Sequence, residues 1–168
     1  CDPEGRPLSS DINPDDCYMP TNYDGIYRGP MSLRDALAQS VNIPALKTLY
    51  LAGLSDSLQT AKDFGITSLT NTNRYGLTLV LGGGEVSLLE MTNAYGVFAN
   101  EGVRNPYSGI LRIEDKNGNV LEEFEPKPQR VISDDITLQI SDILSDNTAR
   151  TPAFGARSYL YIESNDVA

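Results

Sequence analysis

The 168-residue chain contains no histidine, so any acyl or proton-transfer chemistry in it has to run on serine, lysine, carboxylates and amides. Ser-His-Asp and Cys-His mechanisms are excluded by that count alone. Acyl chemistry would need lysine as the base, and Lys47, Lys62, Lys116 and Lys127 stand in ordinary contexts. The two cysteines, Cys1 and Cys17, lack the third and fourth ligands of a zinc site. They leave a disulfide open where the compartment is oxidising. The stretch with the most to say is Ser40-Val41-Asn42, which closes a segment running from Asn22 through Tyr23-Asp24-Gly25-Ile26-Tyr27-Arg28-Gly29-Pro30 and on to Gln39. By its pattern alone the triplet is a helix-end hydroxyl followed by a turn residue ahead of Ile43-Pro44.

Two other stretches invite a ligand and fail on inspection. Asp11-Ile12-Asn13-Pro14-Asp15-Asp16 alternates oxygens as a calcium loop does. Its sixth position is Asp16 where that loop needs glycine, and its twelfth is Asn22 rather than glutamate. Gly82-Gly83-Gly84 precedes a helix and could cradle phosphate, but Glu85 stands where a phosphate loop supplies lysine. The residues therefore predict no metal and no cofactor. A net charge of −10 and a pI near 4.3 repel polyphosphates, which disfavours nucleic acid as a partner. Hydrophobic residues at 40% and charged residues at 21% describe one globular domain able to bury a core. No apolar run approaches the ~18 residues of a membrane span, and the N-terminus lacks a basic-then-apolar signal pattern.

The elements that would position Ser40 and Asn42 can be read from caps and periodicity. Residues 1–31, rich in Pro, Asp, Asn and Gly, predict an irregular lead-in. Residues 32–168 predict a helical part. Ser32 is a good N-cap, and Asp35 suits the positive end of the first helix. Leu33, Ala36, Leu37 and Ser40 share one face, so Ser40 is expected near the helix end on its buried side. Ile43, ahead of proline, marks a boundary, and Pro44 opens a second helix that Gly53 ends. A third runs from about Ser57 to Phe64. Asn71 to Tyr75 reads as a polar loop and the three glycines as a flexible turn. Ser87-Leu88-Leu89-Glu90 is a capping box opening a helix through Met91, Ala94, Tyr95 and Phe98. A hairpin at about 109–125 folds at Asn117-Gly118, with Leu111, Ile113, Val120 and Phe124 on one buried side. Ser133 caps a final helix striped by Ile136, Ile140, Ile143 and Leu144. Residues 147–155 read as a loop and Tyr159-Leu160-Tyr161-Ile162 as an extended segment. The expected fold class is α+β, mainly helical, with one β-hairpin.

Several stretches, in order, carry a resemblance: Asn22 to Asn42 with Pro44-Ala45; Tyr75-Gly76-Leu77 with Leu81-Gly82-Gly83-Gly84-Glu85-Val86 and Leu88-Leu89-Glu90-Met91; Ala94-Tyr95-Gly96-Val97-Phe98-Ala99-Asn100 with Gly102; and Ile143-Leu144-Ser145-Asp146-Asn147 with Arg150-Thr151-Pro152-Ala153-Phe154-Gly155. They cover most of the chain from residue 20 onward, and together they resemble the transpeptidase domain of class A, bifunctional penicillin-binding proteins of the 1A type. That family uses three motifs: Ser-x-x-Lys, Ser-x-Asn and Lys-Thr-Gly. No serine here is followed three residues later by lysine, and no lysine opens Lys-Thr-Gly. The chain thus resembles the central part of such a domain, with Lys-Thr-Gly expected soon after Asp166-Val167-Ala168.

The resemblance implies a penicillin-binding-protein and serine β-lactamase-like transpeptidase fold. It implies that the intact parent is a peptidoglycan D,D-transpeptidase working through an acyl-serine, and that this fragment alone is inactive. Ser40 looks like the hydroxyl between the catalytic lysine and the leaving amine, since a hydroxyl both donates and accepts. Asn42 looks like the amide that holds the substrate's peptide group and the lysine. The implied partners are stem peptides ending in D-Ala-D-Ala, and β-lactams. The implied location is the extracytoplasmic face of a bacterial membrane, with the parent anchored through a segment absent here. The alternative reading is a non-catalytic, cell-wall-associated interaction module with an acidic surface.

Overall fold

The computed structural model describes residues 6–13, 17, 19–70 and 74–162. Asp15 and Asp16 of the calcium-like stretch, Asn71 to Asn73 of the polar loop, and Asp166 to Ala168 lie outside them, as does Cys1. Cys17 is disulfide-bonded. The described part of residues 6–31 runs through turns and bends with no α-helix or strand.

Six α-helices follow among the described residues: α1 (Leu33–Ala38), α2 (Asn42–Ala52), α3 (Leu54–Asp63), α4 (Leu88–Ala99), α5 (Asp134–Ser145) and α6 (Asn147–Phe154), with a 3-10 helix at Leu77–Leu81. The strands are short. β1 (Val103–Arg104) pairs antiparallel with β4 (Gln129–Arg130), and β2 (Arg112–Glu114) pairs antiparallel with β3 (Val120–Glu123). No strand falls among the described residues of 32–100, so the α+β, mainly helical expectation holds.

Side-chain caps mark the starts of α1, α4 and α6, while the N-cap residues of α2, α3 and α5, Ser133 among them, form no such bond. The Ser32 hydroxyl accepts from the Asp35 amide at 3.0 Å, as the sequence predicts. α1 is nevertheless short, and its buried residues are Ala36 and Ala38 rather than a leucine stripe; Leu33 is 72% exposed. The small alanines let α1 lie close against α2, α5 and α6, which covers the alanines and leaves the leucines outside. α2 starts at Asn42, two residues before the expected Pro44. Ile43 stays helical ahead of proline because a side chain from outside the helix holds its amide. Pro44 sits in the first turn, where a missing N–H costs nothing. α3 starts at Leu54, three residues early, with the Ser57 hydroxyl donating back to the Gly53 carbonyl at 2.8 Å.

The triple glycine is a tight turn rather than a loose one. The Gly83 amide bonds the Thr78 carbonyl at 2.9 Å, and a Cβ on Gly83 would lie 2.9 Å from that same oxygen. The capping box at Ser87 and Glu90 is formed in both directions. α4 then carries the centre of the core: Val97 is fully buried and Ala94 nearly so. They pack with Phe64 of the α3 end, and Ile66, Phe98, Val131 and Ile132 close around them. Phe64 and Phe98 meet edge-on, ring centroids 5.4 Å apart at 67°. That geometry adds about 0.5–1.5 kcal/mol beyond the buried area. Met91 and Tyr95, expected on the same stripe, are exposed.

The hairpin differs from its expected form. Its loop spans 115–119, and the organiser is Asp115, whose carboxylate accepts from the amides of Asn117 and Asn119 at 2.8 and 2.9 Å. Of the expected buried side only Phe124 is half-buried; Leu111, Ile113 and Val120 are all exposed. β2 and β3 pack chiefly against each other, so alternation in the ribbon's sequence has little core to face. Residues 147–155, expected as a loop, are helical over Asn147–Phe154 as α6, with Gly155 as its C-cap. Asp146 caps it by accepting from the Ala149 amide at 2.9 Å, and Arg150 ties it to the Leu144 carbonyl at 3.0 Å. Tyr159 and Leu160 lie in a turn closed by Tyr161 N–H to the Ser158 carbonyl, not in an extended segment.

Glu90 shows how the loops are held. It is only 7% exposed, yet its carboxylate accepts from the Thr67 amide and hydroxyl at 2.8 and 2.6 Å, the Ser68 amide at 3.2 Å, and the Ser87 amide and hydroxyl at 3.4 and 3.2 Å. These donors favour the ionised form, with the Thr67 hydroxyl foremost, and bring its pKa down from 4.5 to about 2. A depressed carboxylate stabilises the fold fully above its unfolded pKa, and that contribution disappears as pH falls through the folded one. Thermal melts between pH 6 and pH 2 are expected to show a loss of stability beginning near 4.5 that Glu90→Gln flattens. A second expectation concerns Gly102, φ +91, where an added Cβ would come within 2.2 Å of the Ile132 carbonyl. Gly102→Ala is expected to cost well over ~1 kcal/mol, read as a drop in melting temperature.

Candidate functional site

α1 ends in a tightly specified way. The Ser40 amide bonds the Leu37 carbonyl at 3.1 Å, and the Val41 amide reaches back to the Ala36 carbonyl at 3.0 Å. This nested pair is a Schellman motif, and it requires the residue between, Ser40, to be left-handed. Ser40 has φ +56. α3 ends by the same motif with Gly65 in the left-handed place, where glycine pays no steric penalty. At Ser40 a side chain stands where glycine is the ordinary choice, at a cost of roughly 1–2 kcal/mol. Ser40 is exposed and is not on the buried face of α1. The expected placement beside the helix's buried residues is therefore corrected: the left-handed turn swings it out.

The same turn sets Asn42. Val41, buried, is the N-cap of α2, and Asn42 is the first helical residue, half-buried. Its side-chain amide donates to the Thr21 carbonyl at 3.0 Å. Ser40 and Asn42 thus sit on either side of a buried valine at the junction of two helices, the serine exposed and the asparagine amide anchored to the lead-in. Next to them Asn22, 6% exposed, accepts from the Ile43 amide at 3.1 Å and donates to the Ile26 carbonyl at 2.7 Å.

Charge braces α1 from its other side. Arg34 is bonded to Asp142 of α5 and, at 3.1 Å, to Asp146 between α5 and α6. The Asp142 carboxylate foremost, then that of Asp146, holds the Arg34 guanidinium's pKa above its usual value. The Ala149 amide, followed by Arg34, holds the Asp146 carboxyl below its usual range. One carboxylate therefore caps α6 and fastens α1. Sequence reasoning missed both Asn22 and Asp146. Each lies within the stretches that carry the resemblance, but cap rules look three residues ahead, and here the partners are 21 and 112 residues apart. Among the described residues no group of three His, Cys, Asp or Glu side chains could hold a metal.

Comparison with known proteins places the chain among relatives. Residues 9–162 match the family model described as the penicillin-binding protein transpeptidase domain. Penicillin-binding protein 1A of Clostridium novyi is 33% identical over 130 residues, covering 76% of this chain and 15% of that protein. Penicillin-binding protein 1A of Aquifex aeolicus is 40% identical over 115 residues, 68% of this chain and 15% of the relative. The crystal structure of penicillin-binding protein 1A from Haemophilus influenzae matches with a TM-score of 0.67 at 29% identity, over 79% of this chain and 24% of that one. The chain thus spans about a seventh of the length of the first two relatives and about a quarter of the third chain.

The left-handed turn makes a separable prediction. Ser40→Gly removes the steric penalty and should stabilise the fold by roughly 1 kcal/mol, or ~2–4 °C in melting temperature. A melt of Ser40→Gly that falls below the unaltered chain would show that the serine side chain is itself stabilising.

Proposed function

The chain belongs to the penicillin-binding protein transpeptidase family, and from that premise we propose that it forms the Ser-x-Asn wall of a peptidoglycan D,D-transpeptidase site, with Ser40 and Asn42 as its working residues. The observation that carries the reading is Ser40 itself. A side chain is held at φ +56 in a motif that favours glycine, and the residue is exposed. Backbone strain of this kind persists where the surroundings over-determine it, and it clusters at functional sites.

In the proposed reaction a serine from the Ser-x-x-Lys motif attacks the carbonyl of the penultimate D-Ala in a stem peptide. Its hydroxyl proton leaves to a lysine, a C–O bond forms and the C–N bond to the terminal D-Ala breaks. Ser40 stands to pass the proton onward, donating from its hydroxyl to the departing amine while accepting from the lysine. Asn42, fixed by its bond to the Thr21 carbonyl, stands to hold the substrate's peptide group. The acyl group then passes to the amine of a neighbouring stem. A β-lactam would acylate the same serine and stop there. Nucleophile and base belong to motifs that this chain does not contain, so the chain alone should be inert. The site would work on the extracytoplasmic side of a bacterial membrane, within a longer, membrane-anchored protein.

Two measurements test this. Intact-mass spectrometry of the isolated chain after incubation with a β-lactam should show no stoichiometric adduct, because losing an activated nucleophile costs on the order of 10⁶ in a triad enzyme. In the full-length protein, Ser40→Ala should slow β-lactam acylation by roughly 10²–10⁴ with little change in melting temperature. Unchanged acylation in that variant would leave Ser40 a helix-end hydroxyl, whereas an unaltered full-length protein that no β-lactam acylates would favour the non-catalytic interaction module.

A further inference from the structure

The start of α2 has a capping problem that its own sequence cannot solve. A helix leaves its first amides without partners, and an N-cap side chain ordinarily accepts from one of them. The N-cap here is Val41, which has no acceptor, and no side-chain cap bond forms from it. Pro44, the third helical residue, has no amide to satisfy. The donor a cap would serve is therefore the Ile43 amide.

Asn22 supplies that cap from outside the helix. Its Oδ1 accepts from Ile43 N–H at 3.1 Å, and its Nδ2 donates to the Ile26 carbonyl at 2.7 Å. Its own carbonyl accepts from the Gly25 amide at 2.9 Å, which closes the turn it starts. The return strap is Asn42, whose Nδ2 donates to the Thr21 carbonyl at 3.0 Å. Two asparagines on different segments thus each bond the other's backbone neighbourhood. At 6% exposure Asn22 has its polar atoms committed inside the protein. An unmade bond there would carry a desolvation penalty, so the strap is held shut.

We propose that Asn22 is a positioning residue: as the detached cap of α2, it sets where the helix begins and so fixes Asn42 and the left-handed Ser40 immediately before it. This proposal rests on the reading of Ser40 and Asn42 as site residues. It frees the Ser-Val-Asn triplet from capping duty. A capping side chain at position 41 would have to turn back onto α2, whereas valine at that position is buried.

The test uses the full-length protein and compares β-lactam acylation rate and melting temperature for Asn22→Ala, Asn42→Ala, the double variant and Asn22→Asp. Displacing a positioned group costs about ten- to a hundredfold in rate, and Asn22→Ala should slow acylation by that much. In the double variant the combined loss should fall short of the product of the two single losses, because part of what Asn22 does runs through Asn42. Asn22→Asp keeps the acceptor for Ile43, with a charge suited to a helix N-terminus, but loses the donor to Ile26. It should therefore melt lower while acylating close to the unaltered rate. A folded Asn22→Ala with unchanged acylation overturns the proposal, as do losses that multiply. If Asn22→Ala does not fold, Asn22→Asp decides: a slow but folded Asp variant overturns the role and a fast one supports it. Normal acylation in Asn42→Ala would instead bring down the site reading beneath it.

Discussion

One residue forced into left-handed backbone governs how this chain is arranged around its candidate site. The six-residue α1 cannot run straight into α2. The Ser40 and Val41 amides must turn back onto Leu37 and Ala36 to close α1, and that geometry leaves only Ser40 to take up a positive φ. Once the turn is made, Val41 points inward and is buried, Asn42 enters α2 as its first residue, and Ser40 is left exposed. Exposure of the serine and anchoring of the amide are two results of one backbone constraint. The penalty of roughly 1–2 kcal/mol has to be offset by whatever holds the two helices in place.

Those holds are polar and long-range. Arg34 reaches two aspartates more than a hundred residues later, and one of them, Asp146, spends its other oxygen capping α6. Asn22 and Asn42 fasten the lead-in to α2. Glu90 joins the start of α4 to the loop after α3 through three bonds, from Thr67 and Ser68, and closes the α4 cap through two more from Ser87. One apolar cluster lies under α4, around Phe64, Ala94 and Val97, and further buried apolar residues run along α1, α2 and α3. Packing there places α3 against α4. At the α1–α2 junction Ala36, Ala38 and Val41 are also buried, and hydrogen bonds to specific atoms add to that packing. Such bonds fix an atom to within tenths of an ångström, which apolar contact alone does not.

Much of the local structure was legible from residues because it depends on near neighbours. Ser32 and Ser87 announce their helices through bonds three residues long, and both form as read. The helical character of residues 32–64 and 88–99 follows from periodicity, and the absence of histidine excludes whole mechanisms without any structure. The hairpin was found through Asn117-Gly118, yet its exposed faces were not, since alternation says which side could be buried and not whether anything lies beneath it. α6 was read as a loop because Asn, Thr, Pro and Gly crowd it. Asp146 caps it three residues ahead, a local signal that the crowded composition hides, and the fastening of that aspartate to Arg34 is beyond any local rule.

The residue types at 40 and 42, the resemblance they carry and the kind of chemistry open to the chain were determined by the sequence itself, since each depends on which functional groups exist and in what order. The handedness of Ser40, its exposure and the identity of the cap on α2 were decided only in the folded molecule. They depend on closing a helix against neighbours brought in from residues 21, 22, 142 and 146. No rule confined to a few adjacent residues can contain a partner that the chain reaches only after folding.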